Sequence, residues 1–92
     1  MVLIKGYKEV DFEEFMDTMN FYRSERSFAE MAVHIRKTSD TAKNAFRTDK
    51  QVVTDSILTK VAEFIGIECF IVNYNGDKYF YIKKQITNGK EV

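Results

Sequence analysis

SFAEMAVHIRKTSDTAKNAFR, residues 27–47, is the stretch on which the fold turns. Ser27 opens it with Glu30 three positions on, the spacing of a capping box, in which hydroxyl and carboxylate each accept a free backbone N–H at a helix start. Phe28, Met31, Ala32 and Ile35 then recur at three- and four-residue steps, so they form the buried stripe of a helix about two turns long. Arg36, Lys37 and Thr38 carry no apolar period. Ser39 and Asp40 supply a second cap cluster, after which Ala42, Ala45 and Phe46 mark the inner face of another short helix. Two short helices about four residues apart predict a helix-turn-helix.

On the N-terminal side, Asp11 is placed to cap a helix running to about Tyr22, with Phe12, Phe15, Met16 and Met19 inward and Glu13 and Glu14 in its positive first turn. The polar break Arg23-Ser24-Glu25-Arg26 ends it. Before it, Met1 to Val10 alternates through Val2, Ile4 and Tyr7 and suggests a short first strand. On the C-terminal side, Thr54 caps the clearest helix in the chain, with Ile57, Leu58, Val61, Ala62, Phe64 and Ile65 inward and Gly66 just past its end. Cys69 to Tyr74 and Lys78 to Ile82 are β-branched and aromatic runs joined through Asn75-Gly76, the signature of a type I′ hairpin.

A two-residue loop there sets the register: Val72 stands opposite Tyr79, Phe70 opposite Tyr81, Ile71 opposite Phe80 and Cys69 opposite Ile82. Both hairpin faces are then apolar. The face of Cys69, Ile71, Phe80 and Ile82 suits the helices, having no hydroxyl that needs water. Phe70, Val72, Tyr79 and Tyr81 are left for a second subunit, or for the first strand or C-terminal tail of the same chain. The fold class expected is therefore α+β, a small helix-turn-helix core with a C-terminal hairpin at 69–82, which the N-terminal strand would extend to a three-stranded antiparallel sheet. Residues 1–86 read as one domain and 87–92 as a flexible tail.

At 92 residues and 45% apolar composition, the chain is large enough for one modest core. The single Cys69 and single His34 do not provide a disulfide or a zinc site, so no metal or cofactor is expected. Cys69 lies in an apolar run and reads as an inert thiol, His34 as a surface residue, and Met16, Met19 and Met31 as core. No run approaches the roughly 20 apolar residues of a membrane span, which suggests a cytoplasmic protein. Net charge is zero, yet residues 23–60 hold eight basic and five acidic side chains and so carry +3. No paired acid and base, metal-ligand spacing or phosphate loop is present, so neither catalysis nor a small-molecule substrate is expected.

Ser27 to Ile35 resembles the first motif helix of the Cro/CI-type, lambda-repressor-like transcriptional regulators, with the small Ala32 where the motif helices cross. TDSILTKVAEFIGI, Thr54 to Ile67, resembles the helix that follows the motif in the same families. With the strand and hairpin the resemblance covers roughly Val2 to Ile82. The sequence departs at Arg36, where these families favour glycine, and at Ala42, where they favour a large aliphatic. The resemblance implies that the second motif helix enters the major groove of double-stranded DNA and presents Ser39, Asp40, Thr41, Lys43, Asn44 and Arg47. Asn44 suits adenine, Lys43 and Arg47 guanine or phosphate, and Asp40 cytosine. Arg36, Lys37, Thr38 and Lys50, with Arg23 and Arg26, are the phosphate candidates. The implied protein is a phage or mobile-element repressor binding its operator as a homodimer. A protein-binding antirepressor or host-defence inhibitor on the same scaffold is the alternative, favoured by zero net charge, Asp40 and the missing turn glycine.

Overall fold

A computed structural model describes residues 4–84. Within them Asp11, Ser27, Thr38 and Thr54 stand in extended backbone, and each side chain accepts the amide N–H of the residue three further on. Each thereby satisfies one of the free donors that every helix start leaves. The helices that follow are α1 (Phe12–Arg23), α2 (Phe28–Ile35), α3 (Ser39–Asn44) and α4 (Asp55–Phe64). β1 (Tyr7–Val10) precedes them, and β2 (Cys69–Tyr74) and β3 (Asp77–Lys83) follow. The first strand is thus shorter than the expected 1–10, whose first three residues lie outside the described ones, as does the expected tail at 87–92.

The cap of α3 is Thr38, one residue ahead of the expected Ser39-Asp40 pair. The turn before it explains the shift. Arg36 adopts a left-handed φ of 59° and ψ of 44°, and the Lys37 N–H donates back to the Ala32 carbonyl at 3.0 Å. This closes α2 as a glycine would, and Thr38 is the first residue beyond it free to take the extended cap conformation. Gly66, with φ of 97°, ends α4 in the same manner, the Ile67 N–H donating to the Ala62 carbonyl at 2.9 Å.

β3 is the central strand, in the order β1-β3-β2, with both pairings antiparallel. The hairpin register is the one that Asn75-Gly76 predicts: Cys69 pairs with Ile82, Phe70 with Tyr81, Ile71 with Phe80 and Val72 with Tyr79. Asn75 and Gly76 both have positive φ, as a type I′ turn requires. Glu9 pairs with Tyr81 and Val10 with Phe80, so β1 completes the three-stranded sheet.

The core lies between the four helices and one face of the sheet. Phe80 projects from that face and meets Phe15 at a ring separation of 5.0 Å and Phe12 at 5.7 Å. Met16, Met19 and Met31 are buried beside them, unbranched side chains filling the uneven space where short helices converge. Ala32, Ala42 and Ala45 are buried as well, as close packing of the two motif helices requires. Among the described residues no helix is long and apolar enough to cross a membrane.

Candidate nucleic-acid interface

α3 is only six residues long, and its faces divide by chemistry. Ala42 is buried, as are Ala45 and Phe46 just beyond it, whereas Ser39, Asp40, Lys43 and Asn44 are exposed. None of these four side chains takes part in a hydrogen bond or ion pair among the described residues. Thr38 and Thr41 are engaged in building the helix: the Thr38 hydroxyl accepts the Thr41 N–H at 3.1 Å and lies 3.1 Å from the Thr41 hydroxyl. Of the six residues expected on the reading face, Thr41 is therefore half-buried, and Arg47 lies past the helix end at Asn44.

Arg47 is also occupied. Its Nε donates to Asp49 Oδ1 at 3.0 Å and its Nη2 to Asp49 Oδ2 at 2.6 Å, and the bonds from the guanidinium hold the Asp49 carboxyl below its ordinary range. Arg36, Lys37 and Lys50 are exposed and unengaged. With Lys43 they are four exposed cations without an ion-pair partner among the described residues, in a segment, 36–50, whose carboxylates are Asp40 and Asp49.

The two arginines between α1 and α2 differ from one another. Arg26 donates from Nη1 to the Phe64 carbonyl at 3.0 Å and lies 5.0 Å from the Phe64 ring centroid, so it pins the C-terminal end of α4, where a cation is favoured. Arg23 is half-buried, its guanidinium 4.1 Å from the Phe28 ring centroid. His34 is exposed, with its ring 5.0 Å from that of Phe64. Cys69 is half-buried, and burial followed by the Glu63 charge pushes its thiol up to about 11, which keeps it protonated and unreactive.

A polar cluster that sequence reasoning missed fixes the segment between α3 and α4. Gln51 Nε2 donates to Asp55 Oδ1 at 2.8 Å, Lys78 Nζ donates to the same oxygen at 2.7 Å, and Asn73 Nδ2 donates to Asp55 Oδ2 at 2.9 Å. Gln51 also donates to the Val53 carbonyl at 2.8 Å, drawing the loop inward. Asn73 pairs with Lys78 in the hairpin, on the face that carries Ile71 and Phe80 towards the helices, so both reach Asp55 from the sheet, and no local sequence signal marks a cluster whose members lie so far apart in the chain.

Comparison with protein-family models, curated proteins and solved structures gives no match.

The second sheet face carries the residues expected at a dimer contact. Tyr81 is only 3% exposed, stacking on Phe70 at 5.3 Å, and Tyr7 of β1 meets Phe70 at 4.8 Å. Phe70, Val72 and Tyr79 are half-buried. The first strand thus covers part of this face. Tyr74, which falls on the same face by alternation, is 65% exposed and extends it along β2.

Proposed function

We propose that the protein is a sequence-specific DNA-binding regulator of helix-turn-helix type. It acts in the cytoplasm as a homodimer on operator DNA, in the setting of a phage or mobile-element repressor. The observation that carries this reading is α3 itself: a capped, two-sided short helix whose inner residues are buried while Ser39, Asp40, Lys43 and Asn44 are exposed and unengaged. Asn44 suits a bidentate pair with adenine, Lys43 a guanine edge or a phosphate, and Asp40 the amino group of cytosine. Arg36, Lys37 and Lys50 supply backbone attraction. Pairing through Val72, Tyr79 and Tyr74 would bring two such helices to one side of the duplex, matching a two-fold operator.

A second reading has its own support. Val33 on α2 and Phe21 on α1 are 80% and 79% exposed, and the chain's net charge is zero, which gives a duplex little overall attraction. A regulator that docks on another protein would use Val33 and Phe21.

The readings separate in a gel shift against a pool of random duplexes at two salt concentrations. A DNA-binding regulator enriches a two-fold-symmetric sequence and loses affinity as salt rises. No retained duplex at the lower salt would sink the DNA reading and favour the protein partner.

A further inference from the structure

Among the described residues one buried side-chain nitrogen lacks a hydrogen-bond partner, Nε of Arg23. Buried donors in native proteins are paired almost without exception, so an orphan needs an explanation, and a group outside the chain is one that supplies it. No hydrogen bond or ion pair engages any other atom of this side chain. The guanidinium is held by rings instead, 4.1 Å from the centroid of Phe28 and 6.0 Å from that of Phe46, which themselves lie 5.7 Å apart. Arg23 ends α1, Phe28 begins α2 and Phe46 follows α3, so the fork sits between α1, α2 and the segment just after α3.

Its neighbours show what is unusual about it. Arg26 is engaged by the Phe64 carbonyl and Arg47 by Asp49, whereas Arg23 has no carboxylate or carbonyl. An aromatic backing pre-orients the planar fork, which reduces the side-chain freedom lost when it closes on an oxyanion. Arg23 is half-buried, so part of its side chain is already at the surface.

We infer that Arg23 is an oxyanion anchor that receives a phosphodiester of the duplex beside α3, its Nε gaining there the partner it lacks within the chain. The inference rests on the DNA-binding reading, and it adds one pre-oriented arginine to the backbone contacts of Arg36, Lys37 and Lys50. It does not alter which bases are read, because a phosphate contact carries no direct sequence information.

The test follows the Arg23 Nε–H resonance, with Arg26 as internal reference, during titration of the full chain with a selected duplex. In parallel, the salt dependence of affinity is measured for the wild type, Arg23→Gln and Arg23→Lys. The Arg23 resonance moves while that of Arg26 stays, and Arg23→Gln makes the slope of log affinity against log salt shallower by about 0.9 with the sequence ranking unchanged. Arg23→Lys keeps the slope, since the charge remains. An unmoved resonance together with an unchanged slope in a protein that binds duplex overturns the inference and leaves the DNA reading standing. If the wild type binds no duplex, the DNA reading fails on its own. Titration with inorganic phosphate against chloride at equal ionic strength then decides: a saturating shift of the Arg23 resonance retains the oxyanion anchor, and none overturns it.

Discussion

Arg36 holds φ of 59° and ψ of 44°, a conformation in which a Cβ crowds the backbone and costs about 1–2 kcal/mol. Arg36→Gly removes that crowding but adds unfolded-state freedom, so urea unfolding should show a net gain of about 0.5–1 kcal/mol. Arg36→Val should lose stability, because a β-branched side chain fits the left-handed region worst. A lower midpoint for the glycine variant would show that the Arg36 side chain is itself stabilising. At this scale the sequence was legible wherever one residue type had one use. Ser27, Asp11 and Thr54 cap as their positions suggest, whereas Thr38, Ser39 and Asp40 are three adjacent cap formers, and only the turn at Arg36 selects Thr38. Arg47 misled because helical spacing places it beside Asn44, while the chain leaves α3 after Asn44 and Asp49 captures its guanidinium.

Asp55, in the first turn of α4, ties that helix to the loop before it and to both hairpin strands. Burial alone would raise its carboxyl, but the hydrogen bonds from Gln51, Lys78 and Asn73, with the Lys78 charge, outweigh it and hold the group at about 2, against an ordinary value of 3.8. A depressed carboxyl stabilises fully above about pH 4, and its contribution is lost as pH falls through 2. The gap is worth at most about 2.4 kcal/mol, and with the Asp55 side chain 32% exposed, solvent screening reduces this to about 1 kcal/mol. Asp55→Asn should therefore lower stability by about 1 kcal/mol at pH 7 and by little at pH 2, measured by denaturant unfolding across that range. An equal loss at both pH values would mean that the charge plays no part. Among the elements, the hairpin's register was readable because Asn75-Gly76 admits one register, although β3 runs one residue further at each end than the expected Lys78 to Ile82, and α4 was readable because its apolar period is long. The Asp55 cluster was not, since it joins side chains 18 and 23 positions apart in the chain.

Across the whole molecule, the helices cover one sheet face and leave the other to side chains from three strands. Tyr7 from β1 closes part of it over Phe70, so the face available for pairing shifts towards Val72, Tyr79 and Tyr74, away from the buried Tyr81. Sequence alternation separated the two faces correctly, but it could not show that the central position of β3 buries Tyr81, because strand order is a tertiary fact. If two copies pair there, Val72→Glu with Tyr79→Glu should yield a folded monomer by sedimentation with weakened duplex binding, whereas a wild type that stays monomeric at high concentration excludes the dimer. Whether α3 reads bases is decided by the anisotropy of a selected duplex and a scrambled one with the wild type and Asn44→Ala. If it does, Asn44→Ala weakens binding to the selected duplex by about 1–3 kcal/mol, leaves the scrambled one unchanged and keeps the thermal midpoint. Equal affinity of both proteins for the selected duplex would rule out base reading by Asn44.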